Sequence, residues 1–215
     1  MTPEAFDLPE LRHLAHLPEI TLDVYKALPE DICMQIEVVD GWLVRCESAE
    51  PTHQTVQRNL ANHLRATVKS HDARRSACHR VNHDVDVLMA ETPKLHFRRP
   101  DVVVYRCIDA DRGKWRRKPY ASDCMIVVEI VSADSVATDL RAKRAEYAAA
   151  GIPHYWIARM TDNDGPSISV ERFLLTLDGN YISAGLAVRG RDFHAVDAID
   201  PFPLKPTWDQ LDDRM

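Results

Sequence analysis

The first strong pattern in the chain is a pair of short apolar runs around a turn dipeptide. Residues 34–39 and 42–46 flank Asp40-Gly41, and such a dipeptide between apolar runs is the strongest short-range signal for a β-hairpin. The pattern therefore predicts two paired strands, with the carboxylate of Glu37 on the first.

An apolar stripe with helical spacing follows the hairpin. Apolar residues recur there every four positions, which is typical of the buried face of an amphipathic helix. They are Val56, Leu60, Leu64 and Val68. This helix is predicted to begin at Pro51 and end near His71, with His53 in its first turn. Before the hairpin, Thr21 is expected to cap a short helix that Pro29 ends.

The central part of the chain has the pattern of a strand, a helix and a second strand. Residues 125–131 are apolar except for Glu129, as expected of a strand that is buried on both faces. Residues 136–150 are rich in Ala, Arg and Glu, and Gly151 follows them, which predicts a helix. Residues 154–158 return as a strand, so a right-handed crossover between two parallel strands is expected.

Further apolar runs complete a mixed α/β pattern. Residues 81–89 and 101–105 are each expected to form a strand, and Asp101 begins the second of them. Residues 167–177 and 181–188 flank an Asp-Gly-Asn turn and predict another hairpin, at the edge of the sheet.

Composition favours a single compact domain. The 215 residues are 45% hydrophobic and 28% charged, close to the average for globular proteins. The formal net charge of -6 gives no general attraction to a polyanion, so contacts with nucleic acid would be local.

No apolar run approaches the about 20 residues of a membrane span, so no membrane partner is expected. Neither a P-loop nor a GxSxG elbow occurs, which excludes P-loop NTPases and α/β-hydrolases.

Five cysteines are spread along the chain without a CxxC pair. They are Cys33, Cys46, Cys78, Cys107 and Cys124. An odd, widely spaced set predicts reduced thiols and, because the first residues lack a signal-peptide pattern, a cytoplasmic location. The trio of Cys78, His79 and His83 lacks a second closely spaced pair, so a structural zinc site is not expected there.

Glu129 requires an explanation, because an ionised carboxylate is costly to bury in a central strand without a partner. Its partner could be an arginine in a salt bridge or a bound metal ion, and the sequence leaves both open. Asp101 begins another strand, and two carboxylates from adjacent strands can share a magnesium ion with water and a substrate phosphate. Glu37 could supply a third ligand, although Asp101 or Glu37 alone is typical of a hydrogen bond at a strand end.

The helix after the Glu129 strand carries polar side chains on one face. Asp139, Lys143 and Tyr147 recur every four residues, so Lys143 could reach the carboxylates or could form an ordinary surface pair with Asp139. His53, near a helix N-terminus, could help to orient a phosphate or a ligand carboxylate, although a cap is the commoner role.

A basic loop lies between residues 108 and 123. Such a loop is most often solvated surface, and the functional alternative is a weak grip on nucleic-acid phosphates. Its cations are Arg112, Lys114, Arg116, Arg117 and Lys118.

In order and spacing, these segments resemble the Uma-type restriction endonucleases of the PD-(D/E)XK restriction-endonuclease-like superfamily. The likeness covers most of the chain. Its motifs are Glu37-Val38-Val39-Asp40-Gly41, His53-Gln54, Pro100-Asp101-Val102-Val103-Val104, Val128-Glu129-Ile130-Val131-Ser132, Asp139 with Lys143 and Tyr147, and residues 151–157.

The resemblance implies an α/β fold of restriction-endonuclease-like type, a mixed β-sheet flanked by helices. We expect a helical extension over residues 1–30, the nuclease-like domain over residues 31–205 and a C-terminal tail over residues 206–215. Many relatives carry a proline where Ala133 stands and an acidic residue where Arg159 stands, which bears on loop conformation and substrate preference.

The resemblance also implies residue roles. Asp101 would be the aspartate of the PD motif, Glu129 the second metal carboxylate and Glu37 an additional acidic ligand. The superfamily lysine lies two residues after the acidic position, where Val131 stands here, so its role is expected to have moved to Lys143. Three further side chains would orient these groups without binding the metal: His53, Asp139 and Tyr147.

The activity implied is a metal-dependent endonuclease that hydrolyses phosphodiester bonds. Magnesium is the expected cofactor, with manganese as the alternative, and nucleic acid is the partner, with DNA favoured over RNA. Because many nucleases of this fold pair to cut two strands, a homodimer is expected by analogy. The alternative function is a non-catalytic binding or scaffold protein on the same fold.

Overall fold

The computed structural model describes residues 19–46, 49–109, 111–115, 118–132, 137–162 and 165–213, without the side chains of residues 114 and 137–139. The helices are α1 (Leu22–Ala27), α2 (Glu30–Cys33), α3 (Pro51–Arg75), α4 (Ala137–Ala149) and α5 (Trp208–Asp212). The strands are β1 (Ile36–Val39), β2 (Trp42–Arg45), β3 (His79–His83), β4 (Val87–Ala90), β5 (His96–Arg98), β6 (Val102–Arg106), β7 (Cys124–Val131), β8 (His154–Met160), β9 (Ser167–Leu175) and β10 (Tyr181–Val188).

The described strands form two sheets. A six-stranded sheet has the order β10-β9-β8-β7-β6-β3, and a four-stranded sheet has the order β2-β1-β5-β4. In the larger sheet β7 and β8 are parallel, as the strand-helix-strand pattern predicts, while the other neighbours are antiparallel. The β9-β10 hairpin lies at the sheet edge, and the β1-β2 hairpin turns at Asp40-Gly41, so both hairpin predictions are confirmed.

Helix α3 covers one face of the larger sheet. Pro51 is in its first turn, where a missing backbone N–H costs nothing, and Ser76 ends it in the left-handed conformation. The predicted apolar stripe is buried against β6 and β7 in one core cluster. Its members are Val56, Leu60, Leu64 and Val68. The helix runs four residues beyond the predicted end near His71.

Strand β7 lies between α3 and α4. Successive side chains of a strand point to opposite faces, so Val128 and Ile130 pack in the cluster with α3, whereas Val127 and Val131 pack in the cluster with α4. Glu129 is two residues from both Val127 and Val131, so it lies on their face of the sheet and contacts α4.

Residues 81–89 do not form one strand, so that prediction is wrong. They are divided between β3 in the larger sheet and β4 in the smaller one. Asp84 lies between the two strands with a positive φ of 54°, which breaks the extended backbone and which aspartate tolerates better than most residues. The valines at alternate positions on both sides of Asp84, Val81, Val85 and Val87, resemble one continuous strand and concealed the break.

Cys78 and Cys107 form a disulfide, so the prediction of reduced thiols is wrong for this pair. Their Cα atoms are 5.3 Å apart although 29 residues separate them in sequence. Antiparallel pairing of β3 with β6 brings the ends of the two strands together, and sequence spacing alone does not reveal that register. The other three thiols are free: Cys33, Cys46 and Cys124.

The described residues near each end of the chain include a short helix, and residues 1–18 of the predicted helical extension lie outside the described residues. Thr21 caps α1 by accepting a hydrogen bond from the backbone of Val24, as predicted. Helix α5 lies within the segment that we expect to be a tail, and its Trp208 and Leu211 are buried with α3. Among the described residues, no helix is both long and apolar enough to cross a membrane.

We predict that Gly41→Ala destabilises the fold more than Gly179→Ala. Both glycines have φ near 80°, so each alanine incurs the left-handed penalty of about 1–2 kcal/mol. At Gly41 the new Cβ would also lie 3.3 Å from the Cβ of Glu19, and hydrogen bonds from Ile20 and to Leu95 hold that backbone in place. At Gly179 nothing lies within 4 Å. Urea unfolding measures both variants, and equal losses would show that the contact near Gly41 relaxes freely.

Candidate active site

The pairing of β6 with β7 brings two of the predicted carboxylates to the same end of the larger sheet. Val102 of β6 pairs with Val128 of β7. Asp101 immediately precedes Val102, and Glu129 immediately follows Val128. The Oδ2 atom of Asp101 accepts a hydrogen bond of 2.6 Å from the backbone N–H of Ile130, which fixes the aspartate beside β7.

Glu129 is buried, and both of its oxygens have partners on α4. The Nζ of Lys143 lies 2.9 Å from Oε2, and the hydroxyl of Tyr147 donates to Oε1 at 2.6 Å. Burial raises the pKa of Glu129 to about 7; Lys143 opposes the shift and the charge of Asp101 adds to it. Lys143 therefore reaches the carboxylate of Glu129, and its alternative pairing with Asp139 stays open. The side chain of Asp139 lies outside the described residues.

His53 lies between two oxygens of this site. Its Nε2 is 3.0 Å from the carbonyl oxygen of Ile130 and 3.4 Å from Oδ1 of Asp101. Burial alone would lower the pKa of His53, but the hydrogen bond and charge of Asp101, together with the Ile130 carbonyl, raise it. Its Nδ1 is buried without a hydrogen-bond partner among the described residues.

Gln57 fixes the backbone of Asp101. It lies one helical turn after His53, and its buried amide donates to the Asp101 carbonyl at 2.9 Å and to Oδ1 of Asp84 at 2.8 Å. Sequence reasoning missed this residue. The available signal was a glutamine four residues after His53, beside Val56 of the apolar stripe.

Glu37 is buried on β1 and is held by protein donors. Its Oε2 accepts from Nη1 of Arg98 at 2.8 Å, and its Oε1 accepts from the backbone N–H of Arg99 at 2.7 Å. Arg98 also grips Glu146 of α4 in a bidentate pair, with distances of 2.7 and 2.8 Å. Burial alone would raise the pKa of Glu146, but hydrogen bonds from Arg98 and His96 lower it to about 2. Arg98 and Glu146 were not predicted, because no local pattern links residues so distant in sequence.

The three predicted carboxylates do not form one compact cluster. The described residues contain one group of three potential metal ligands whose ligand atoms all lie within 4.8 Å of one another, and Glu37, Asp101 and Glu129 are not its members. Asp101 and Glu129 share a strand end in the larger sheet, whereas Glu37 lies on β1 of the smaller sheet.

The described cations of the basic loop are paired with carboxylates. Arg112 forms a bidentate pair with Asp123, with Nη2 at 2.9 Å from Oδ1. Lys118 pairs with the buried Asp86, which also binds Arg99. The side chain of Lys114 and all of Arg116 and Arg117 lie outside the described residues.

Comparison with known proteins agrees with this architecture. The family Uma2, described as "Putative restriction endonuclease", matches residues 22–200. The fold is similar to the crystal structure of "a putative nuclease belonging to DUF820" from Anabaena variabilis, with a TM-score of 0.60 over 89% of this chain and 97% of that chain. The sequences are 16% identical, so this likeness shows the fold alone. A search of curated proteins finds no match. The fold is restriction-endonuclease-like, and the chain belongs to the Uma2 family.

Proposed function

We propose that this protein is a metal-dependent endonuclease that hydrolyses phosphodiester bonds in nucleic acid, with DNA as the favoured substrate. The observation that carries this proposal is the convergence of two oxygens on one point. Oδ1 of Asp101 and the carbonyl oxygen of Ile130 both face Nε2 of His53, at 3.4 and 3.0 Å, and the buried Glu129 precedes Ile130 in the same strand.

The chemistry of these donors fits magnesium, or manganese in its place. Two carboxylates and a backbone carbonyl are hard oxygen ligands, and such an ion keeps further positions for water and substrate phosphate. Asp101, Glu129 and the Ile130 carbonyl would hold the ion, which when bound would activate a water molecule and neutralise charge on the phosphate.

Lys143 would supply a fixed positive charge at the site. An ammonium group that is hydrogen-bonded to a carboxylate is stabilised in its charged form, which favours electrostatic stabilisation of the transition state over proton abstraction. Tyr147 holds the other oxygen of Glu129 and so fixes the carboxylate for its ligand role. His53 would position Asp101 and the Ile130 carbonyl, and Asp139 stays a predicted supporting residue.

Glu37 is best interpreted as a support of the site. It lies on β1 of the smaller sheet, outside the strand end that Asp101 and Glu129 share, and its oxygens are held there by Arg98 and the backbone of Arg99. Through Arg98 and Glu146 it instead connects β1 and β5 to α4, the helix that carries Lys143. We therefore favour Asp101 and Glu129 as the metal ligands over a set that also includes Glu37.

Substrate contacts and assembly are further parts of the proposal. We propose weak contacts of the basic loop with phosphates, for which Arg112 and Lys118 would have to exchange their carboxylate partners for phosphate. A homodimer would pair two sites for cutting both strands, and exposed apolar side chains on the edge strand β10 favour self-association. They are Ile182 and Leu186.

A non-catalytic scaffold is the competing function. The observation in its favour is that Asp101, Glu129 and Glu37 all accept hydrogen bonds from protein groups, so the fold satisfies these charges without a metal ion. A nuclease assay on DNA and RNA with and without magnesium separates the two functions.

We predict that Asp101→Asn reduces magnesium-dependent cleavage by about 10² or more, because the substitution removes a charged ligand and its effect on phosphate neutralisation. Asp109→Asn is the matched control, since Asp109 is an exposed aspartate beyond the other end of β6. Cleavage of plasmid DNA, linear DNA and RNA is measured for both variants. Wild-type protein that cleaves none of them, or whose magnesium binding is unchanged by Asp101→Asn, would favour the scaffold.

We predict that Lys143→Ala lowers the cleavage rate by about 10² or more while magnesium affinity stays the same or rises. Lys143→Arg should restore little activity, because a planar guanidinium does not reproduce a compact point charge. Arg141→Ala removes an exposed cation from the same helix and should leave the rate unchanged. Equal rates for Lys143→Ala and Arg141→Ala would assign Lys143 a purely structural role.

The pH dependence of stability tests the burial of Glu129. Its pKa is raised from 4.5 to about 7 in the folded state, so folding favours its protonated form. This contribution is fully present below pH 4.5 and is lost as pH rises through about 7. We therefore predict that, in metal-free protein, the wild-type free energy of unfolding minus that of Glu129→Gln falls across this window. Urea unfolding at several pH values measures it, and a difference that increases with pH would show that the Lys143 pair outweighs burial.

A further inference from the structure

We propose a second metal site, formed by His71, Asp72 and His79 where α3 ends and β3 begins, that binds zinc. These three side chains are the group whose potential ligand atoms all lie within 4.8 Å of one another. The site is independent of the proposed nuclease function.

The donor atoms face a common point. Nδ1 of His79 lies 2.7 Å from Oδ1 of Asp72, and Nδ1 of His71 lies 3.4 Å from the same oxygen. In a tetrahedral zinc site with bonds of about 2.0–2.1 Å, neighbouring ligand atoms are about 3.3 Å apart. Loss of the proton between His79 and Asp72 and a small outward movement of one ring would give this spacing.

Two imidazoles and a carboxylate also have the right chemistry. Neutral imidazole nitrogens favour zinc and similar transition ions over magnesium, which prefers oxygen donors. Three protein ligands with a water in the fourth position form an open zinc site. All three side chains are 11–19% exposed, so they are sheltered yet reachable from solvent.

The surrounding structure holds the ligands in place. The second oxygen of Asp72 accepts the backbone N–H of His79 at 2.6 Å, which fixes the carboxylate across the turn between α3 and β3. The rings of His71 and His79 both meet Phe202 edge to face, with centroids 5.0 and 5.4 Å away. Cys78, directly before His79, is tied to Cys107 by the disulfide, which anchors the start of β3. Support of this kind around the ligands raises metal affinity because less ordering is needed on binding.

The sequence did not reveal this site, because its first two members lie in the last turns of α3. Cys78, His79 and His83 appear as an incomplete trio in the sequence. His71 and Asp72 become neighbours of His79 only because the chain reverses after Ser76, the left-handed residue that ends the helix.

The proposed zinc site is far from the candidate active site. His53 and His71 lie on the same helix, about 27 Å apart along its axis at the usual rise of about 1.5 Å per residue. Zinc binding can therefore be measured with saturating magnesium present, which would occupy oxygen ligands and leave the imidazoles available.

The test is a zinc titration of the full chain in saturating magnesium, by calorimetry and by equilibrium dialysis with metal analysis. We expect one zinc ion per chain, and an affinity lowered by more than about 100-fold in His71→Phe, since the loss of outer partners alone costs about 10- to 100-fold. Phenylalanine keeps the ring contact with Phe202 and removes the donor nitrogen. Cobalt(II) should give the visible absorption of a tetrahedral site in the wild type, and this absorption should disappear in His71→Phe.

Two controls identify the bound position. His83→Phe removes a histidine of β3 that pairs with Asp84. Among the described residues this pair has no third ligand close by, so zinc affinity should be unchanged. Glu129→Gln should also leave it unchanged; loss of zinc in this variant would place the ion in the candidate active site and overturn the inference. Asp72→Asn keeps an acceptor for the His79 N–H while weakening the ligand set, so it tests the site even if His71→Phe unfolds.

Zinc that binds equally to wild type, His71→Phe and Asp72→Asn would overturn the proposal, as would wild type that binds no zinc. In the second case the three residues would be only a hydrogen-bonded cluster that closes the turn between α3 and β3. Neither result depends on nuclease activity, so failure of the zinc site and failure of the endonuclease proposal are distinguishable.

Discussion

The burial of the Glu129 carboxylate in the central strand β7 is the constraint on which the candidate active site depends. A buried carboxylate loses its hydration, and the fold must offset that loss with donors at close range. Lys143 and Tyr147 provide them, at 2.9 and 2.6 Å, and both lie on one face of α4. The position of α4 on the sheet is therefore tied to Glu129. An apolar residue in its place would need none of these partners, which is why a chemical role is the better explanation of the carboxylate.

A second buried ion network connects the smaller sheet to the same helix. Arg98 of β5 binds Glu37 of β1 and Glu146 of α4, so one guanidinium joins three elements. Arginine suits this position because its planar fork satisfies two carboxylates at once. Glu146 is three residues after Lys143, so the network that holds Glu37 also limits how far Lys143 can move from Glu129. Both sheets therefore help to position the candidate site through side chains on one face of α4.

The parts of the fold that were predictable from sequence are those with local signals. The Asp40-Gly41 hairpin, the apolar stripe of α3 and the crossover around α4 each follow from spacing within a short segment. The division of residues 81–89 between two sheets, the Cys78–Cys107 disulfide and the Arg98–Glu146 pair depend on the register of segments far apart in sequence. No local pattern carries that information. For the site, motif order named Asp101, Glu129 and Lys143 with the supporting His53 and Tyr147, whereas Gln57, Arg98 and Glu146 carry no such signal.

The two ends of helix α3 carry different groups of potential metal ligands, and the length of the helix keeps the two groups apart. At its first turn, His53 lies among hard oxygens, the carboxylate of Asp101 and the carbonyl of Ile130. Near its last turn, His71 lies beside one carboxylate and a second imidazole. Oxygen-rich and imidazole-rich surroundings favour different ions, so the two ends of the helix differ in the ion that each would prefer. Because α3 is packed along its whole apolar stripe against β6 and β7, each end keeps its histidine at a fixed place relative to the sheet.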